Sequence, residues 1–192
     1  MRIVGGRHRG RTLKAPEGSE VRPTSDRARE SLFNILEHGR LSRDGVSIVR
    51  DAVVLDAFAG TGALGFEALS RGAARLTCME ESPDAVAGIK ANARALGELA
   101  RTTVYRVDAT KPPLPPPGPA GQACSLVFLD PPYGSGLGAP ALTALRDAGW
   151  IAPEAICVLE VSARESFTPP PGFEIVDERR YGKARFVFLR SA

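Results

Sequence analysis

An α/β fold, doubly wound about a mostly parallel sheet, is predicted by three observations. Short apolar, β-branched runs alternate with stretches of helical period along most of the chain. A glycine turn, Gly60-Thr61-Gly62, follows the run Val53-Val54-Leu55-Asp56 and opens an apolar helix, which marks a strand–turn–helix unit. Near the end, Phe173–Tyr181 and Ala184–Arg190 meet at Gly182 with no helix between them, so an antiparallel hairpin closes the chain. The expectation is a seven-stranded sheet with right-handed crossovers, this C-terminal hairpin at one edge, and a small N-terminal β-hairpin extension.

The elements follow in order. Arg2–Gly5 and Gly10–Ala15 read as the N-terminal hairpin, with Gly5-Gly6 and Gly10 as turn residues. Arg7, His8, Arg9 and Arg11 surround its turn; His8 has no acid or nucleophile near it in sequence and reads as a solvated loop residue. Thr24 or Ser25 caps a helix over 26–37, with Asp26 at its positive end and Ala28, Leu32, Ile35 and Leu36 as its apolar stripe. Arg22, Arg27 and Arg29 cluster at its start, either as a functional group of charges or as the ordinary face of a surface helix. Residues 39–51 form a polar connector. After the first strand, a helix covers 63–71, a strand 75–80, and a helix 83–96 that Ser82 opens with Pro83 in its first turn. A strand over 102–107 ends at Asp108-Ala109, and 111–121 is a proline-rich loop. Then come a strand at 124–129, a helix at 139–148, a strand at 156–161 and a stiff proline turn at 168–172.

Composition bounds the class. The 192 residues suit one domain, 21–192, with residues 1–20 as an appendage. With 43% hydrophobic and 24% charged residues a full core is available, which excludes global disorder. No apolar run approaches the roughly 20 residues of a membrane helix, and basic Met1–Arg11 lacks the apolar stretch of a secretory signal. Cys78, Cys124 and Cys157 sit in strand-like runs without metal-ligand spacing, which suits reduced core thiols in a cytoplasmic protein that takes no metal and no membrane partner. The net charge of +3 is uneven: residues 1–14 carry five basic side chains and no acid, and 179–192 carry five more. Basic ends on a mildly acidic body point to a polyanion partner; the alternative is a pair of solvated, arginine-rich edges.

Chemistry gathers at predicted strand ends. Gly60-Thr61-Gly62-Ala63-Leu64-Gly65 has the G-x-G-x-x-G spacing, and Glu80 ends the next strand, where an acid can grip ribose hydroxyls. That alone would suit NAD. Asp56 beside the glycine turn does not suit a pyrophosphate but can reach the ammonium of an amino-acid moiety, directly or through water. Asp108 can bind an adenine amino group, and Asp130 ends a fourth strand. Four successive strand-end carboxylates suit a cationic, ribose-containing ligand, S-adenosyl-L-methionine, better than a dinucleotide.

Asp130-Pro131-Pro132-Tyr133 follows the run Ser125–Leu129. Two prolines cannot donate to a ladder, so the strand ends there, holding a carboxylate beside a rigid bend and a flat ring. Carboxylate oxygens and a proline carbonyl accept protons from a planar amine, and the ring stacks on its face. Standing alone, the same four residues are equally a strand-ending turn with a capping Asp.

With these residues the chain resembles the class I methyltransferases of exocyclic amino groups, and among them the RsmD family, 16S rRNA guanine-N2 methyltransferases. The resemblance spans nearly the whole chain. It is carried by Arg2-Ile3-Val4-Gly5-Gly6, Arg9-Gly10-Arg11, Arg22-Pro23-Thr24-Ser25-Asp26-Arg27 with Glu30–Asn34, Leu55–Gly65 with Glu67–Gly72, and Asp130–Tyr133. It implies a Rossmann-like core and S-adenosyl-L-methionine as cofactor. The candidate cofactor-binding residues are Thr24, Asp56, Ala57, Phe58, Ala59, Gly60, Thr61, Gly62, Glu80, Glu81, Asp108, Ala109 and Asp130. Asp130, Pro131, Pro132 and Tyr133 form the candidate catalytic set, and Arg7, Arg9, Arg11, Arg22 and Arg27 the RNA-binding set. The implied partner is 16S rRNA within a partly assembled small ribosomal subunit. The long proline-rich loop departs from a compact connector on the side where a base would approach. Three other readings stand beside this one. A DNA adenine or other amino methyltransferase would need room for a sequence-reading domain. A non-catalytic rRNA assembly factor would not need the whole acid set. An NAD oxidoreductase lacks an evident acid or base for hydride transfer.

Overall fold

The computed structural model describes residues 1–15, 25–38, 41 and 45–192. Its strands are β1 (Val53–Ala57), β2 (Arg75–Glu80), β3 (Thr102–Arg106), β4 (Cys124–Leu129), β5 (Ile151–Ser162), β6 (Phe173–Tyr181) and β7 (Ala184–Ser191). Its helices are α1 (Asp26–His38), α2 (Ala63–Ser70), α3 (Pro83–Leu96) and α4 (Gly138–Asp147). The strands make one sheet in the order β3-β2-β1-β4-β5-β7-β6. β1 to β5 run parallel, while β7 lies antiparallel between β5 and β6. The predicted mixed α/β sheet is therefore the observed one. The chain runs outward from β1 through β2 to β3, then returns to place β4 on the other side of β1. That reversal opens a crevice beyond the carboxyl ends of β1 and β4.

Side-chain alternation splits the core into two layers. Val54, Leu76, Cys78, Leu126, Phe128, Ile156, Val158, Phe186 and Phe188 face α1, α2 and α3. Leu55, Ala57, Met79, Val127, Leu129, Cys157, Leu159, Val187 and Leu189 face α4 and Trp150. The three cysteines are buried and free. No helix among the described residues is long and apolar enough to cross a membrane, and none of their acid, histidine and cysteine side chains group as a metal site.

Three local features differ from expectation. The N-terminal hairpin reduces to a single antiparallel bridge, Arg2 with Thr12, because residues 6–8 form a 3-10 turn. Its Ile3 and Leu13 enter the same buried layer as α1 and α2. β5 begins at Ile151 rather than at 156, because the segment carrying Pro153 bulges out of the ladder between Cys124 and Leu126, with Glu154 at φ 62°. Arg29 belongs to no surface charge cluster. It is 1% exposed, and its guanidinium donates to the Arg2 carbonyl at 2.6 Å and to Asp26 at 2.7 Å. Ser25 is the observed cap, its hydroxyl accepting from Ala28 N–H; Thr24 and Arg22, together with much of the 39–51 connector, lie outside the described residues.

Candidate functional site

A cleft of about 650 Å³ occupies the crevice. The loop after β1 forms its floor. Phe58 and Ala59 N–H both donate to the Met79 carbonyl at the end of β2, at 3.1 and 3.0 Å. This pins the turn and holds Phe58 at φ 78°, a left-handed conformation that is rare for an aromatic residue. Gly60 follows at φ 54° with open space where a side chain would stand, so its backbone faces the cleft bare. Gly62, also left-handed at φ 76°, begins α2; a Cβ there would meet the Phe66 ring at 2.7 Å.

The strand-end acids differ in how they are held. Glu80 accepts Gly60 N–H at 2.8 Å through one oxygen and Ser82 N–H at 2.9 Å through the other. One carboxylate thus shapes the glycine turn and starts α3. Asp108 accepts both Thr110 N–H, at 2.8 Å, and its hydroxyl, at 2.7 Å, and these bonds hold its carboxyl below the ordinary range. Asp56 is 2% exposed and accepts Gly65 N–H at 2.9 Å. Burial pushes it up to about 7, against the Gly65 bond, with the Glu80 charge adding to the rise. Asp130 is half-buried. Burial, then the charges of Glu160 and Asp56, raise it well above the usual carboxylate range. Behind it, Tyr133 is 47% exposed, and its hydroxyl donates to Glu160 at 2.6 Å.

Most of the predicted residues meet here. Asp56, Phe58, Ala59, Gly60 and Thr61 line the cleft from β1; Glu80, Glu81, Asp108 and Ala109 from β2 and β3; Asp130, Pro131, Pro132 and Tyr133 from β4. Ala57 and Gly62 do not line it: the first is buried within the sheet and the second starts α2. Met1, Arg29, Met79 and Leu137 line it without having been expected. Arg29 lies one turn before Phe33 on the buried side of α1, a placement that only the packing of the N-terminal segment reveals. Glu160 was also missed, hidden inside an apolar strand pattern.

Of the predicted RNA-binding arginines, the four described ones do not line the cleft. Arg7 pairs with Glu98, just after α3, and Arg11 donates to the Ala95 carbonyl in its last turn at 2.7 Å. Arg9 and Arg27 are exposed. His8 is no solvated loop residue: its Nε2 lies 2.5 Å from Glu98 Oε1, because the 3-10 turn packs against the end of α3.

Comparison with known proteins fits this architecture. Ribosomal RNA small subunit methyltransferase D of Escherichia coli K12 is 34% identical over 202 residues, covering 100% of this chain and 91% of its own. The protein of that name from Haemophilus influenzae is 32% identical, covering 95% of this chain and 89% of its own. The solved structure of the Escherichia coli protein yhhF superposes with a TM-score of 0.80 at 33% identity, over 100% of this chain and 97% of that one. An RNA methyltransferase from Salinibacter ruber, solved in complex with S-adenosyl-L-homocysteine, shares the fold at a TM-score of 0.63 and 14% identity, over 88% of this chain and 93% of that one. The family model described as Conserved hypothetical protein 95 matches residues 1–190, and the chain belongs to that family, in which it stands with the ribosomal RNA small subunit methyltransferase D proteins.

Proposed function

We propose that the chain methylates the exocyclic N2 amine of a guanine in 16S rRNA, with S-adenosyl-L-methionine as methyl donor and a partly assembled small subunit as substrate. The observation that carries this reading is the D-P-P-Y bend at the cleft mouth. It sets a half-buried acid of raised proton affinity beside an exposed aromatic ring. The names of the relatives supply the RNA.

The residues present fit the cofactor. Gly60 leaves the backbone bare toward the cleft, and five acids line a space of about 650 Å³. Glu80 would take the ribose hydroxyls, Asp108 the adenine amine and Asp56 the ammonium of the amino-acid moiety. When bound, the cofactor supplies an electrophilic methyl group on a sulfonium. A guanine amine is a poor nucleophile because its lone pair is delocalised into the ring. Asp130 and the Pro131 carbonyl accept hydrogen bonds from its two N–H groups, drawing the nitrogen toward tetrahedral geometry. Asp130 then takes the proton that the amine releases; its raised affinity suits it to that task better than an ordinary aspartate with a pKa of about 3.9. Tyr133 stacks on the base once it has left its helix. Holding amine and methyl group in line is the main source of acceleration. The basic N-terminal segment and Arg27 contact RNA phosphates, which positions the substrate without reading its sequence.

The test is incubation with labelled S-adenosyl-L-methionine and small subunits from a strain lacking the modification, followed by mapping of the labelled base. Label on a guanine N2 supports the reading. Label on an adenine, or none with active subunits, overturns it.

A further inference from the structure

The carboxyl end of the sheet holds one more acid than the predicted set contains. β4 and β5 run in register with Leu129 beside Leu159, so the next positions, Asp130 and Glu160, lie abreast. Glu160 is 4% exposed. A smaller cleft of about 160 Å³ lies on the other side of the D-P-P-Y bend. Pro131, Pro132 and Tyr133 border both clefts, whereas Asp130 lines only the larger and Glu160 only the smaller. The two carboxyl groups therefore bracket the bend.

We propose that Glu160 is a positioning residue of the transfer site: it pins the Tyr133 ring at the junction of the two clefts and, by its charge beside Asp130, sets when that acid holds its proton. The inference rests on the proposed function and assigns that site a further residue. A buried carboxylate is costly, and an amide or an apolar side chain would fill the same strand position at less cost. Its geometry explains why it is there. Tyr133 precedes Gly134 and Gly136, both in left-handed conformations, and its ring is half exposed. The 2.6 Å bond from its hydroxyl to Glu160 is short and charge-assisted, and it restricts that ring. A negative charge on Glu160, abreast of Asp130 in a poorly hydrated place, raises the cost of ionising Asp130. The remaining charges around Asp130 come from Asp56 on β1, Glu80 and Glu81 at the end of β2, Asp108 after β3 and Arg29 of α1. Glu165 lies on the Glu160 side. The surroundings are predominantly acidic, and this strengthens the affinity with which Asp130 takes up a proton.

Carboxyl-labelled protein without ligand, titrated by carbon NMR, reads the coupling directly. Glu160→Gln keeps an acceptor for the Tyr133 hydroxyl and removes the charge. Asp130 should then titrate about one pH unit lower, and the acid limb of kcat should move down by the same amount, with KM for RNA unchanged. Glu160→Ala also releases the ring, so KM should rise roughly tenfold, and Tyr133→Phe should reproduce that rise. An Asp130 titration and an acid limb both unmoved in Glu160→Gln would overturn the electrostatic role. Wild-type KM in both Glu160→Ala and Tyr133→Phe would overturn the anchoring role. The titration needs no substrate, so a wild-type chain that labels no small-subunit RNA would sink the proposed function and leave this inference to be judged by NMR alone.

Discussion

Asp56 and Asp130 would both ionise near 3.8 in water, and the fold moves both upward for the same primary reason, the loss of hydration. For Asp56 the consequence concerns stability. Its folded value of about 7 exceeds the unfolded 3.8, so the folded state binds the proton more tightly. Stability from this group is complete below about 3.8 and declines as pH rises toward 7, by up to about 4 kcal/mol. Asp56→Asn cannot ionise, so its melting temperature relative to wild type should climb between those pH values; a difference that stays flat would remove the argument. For Asp130 the consequence is chemical. Asp130→Ala should abolish methyl transfer while binding of S-adenosyl-L-homocysteine stays within several-fold by calorimetry. Asp130→Asn should retain a trace of activity, since an amide oxygen still accepts one bond. Wild-type turnover by Asp130→Ala would refute its role.

Among the elements, α2 does the most joining. Its Glu67 is fully buried and accepts Val4 and Gly5 N–H at 2.8 Å each, while Arg71 holds the same carboxylate from one turn later. Ser70 adds a bond to the Gly5 carbonyl and accepts His8 N–H. On α3, Asn92 exchanges bonds with Lys14 N–H and carbonyl, as a strand neighbour would. Glu67→Ala should cost about 3 kcal/mol, because it strands two backbone donors and leaves the buried Arg71 guanidinium with Glu37 as its remaining carboxylate; chemical denaturation measures it. The same segment carries the arginines assigned to RNA. Replacing Arg7, Arg9 and Arg11 by alanine should weaken RNA affinity and flatten its slope against log salt by roughly 1 to 3, one unit per phosphate contact. Superimposable slopes would leave the segment with a purely structural role.

Over the whole molecule, one sheet carries both the core and the site. Every strand end that bears a site acid belongs to the parallel part, β1 to β5, so all the acids emerge at one edge. The antiparallel β6–β7 hairpin contributes no predicted site residue; it covers β5, and Phe186, Val187, Phe188 and Leu189 fill both layers. Truncation before Phe173 would strip four fully buried side chains and bare the length of β5. The shortened chain should lose its cooperative thermal transition rather than become a trimmed, active enzyme. A cooperative melt with activity intact would show that the hairpin is dispensable.

Much of this protein was legible before any coordinates. Strand and helix patterns, the Ser82-Pro83 helix start and the glycine turn are local, and local chemistry determines them. The limits of β2, α3 and β4 agree with the sequence pattern to the residue. Most of the site could be read too, because a parallel sheet necessarily brings its strand ends together, and Asp56, Glu80, Asp108 and Asp130 each sit at one. What stayed hidden depended on partners far away in the chain. His8 looked solvated because Glu98 is 90 residues distant, and Arg29 looked like surface because the Arg2 carbonyl that it binds lies on another element. The first half of β5 stayed hidden, since a bulge shows only once the neighbouring strand is in place. Glu160 reads as one acid in an apolar strand until β4 lies beside β5 and Tyr133 folds back onto it. Sequence alone determined which residues emerge at the carboxyl edge. The tertiary structure decided which of them are buried and abreast, because the dehydration and charge pairing that set their proton affinities arise only when separate strands pack.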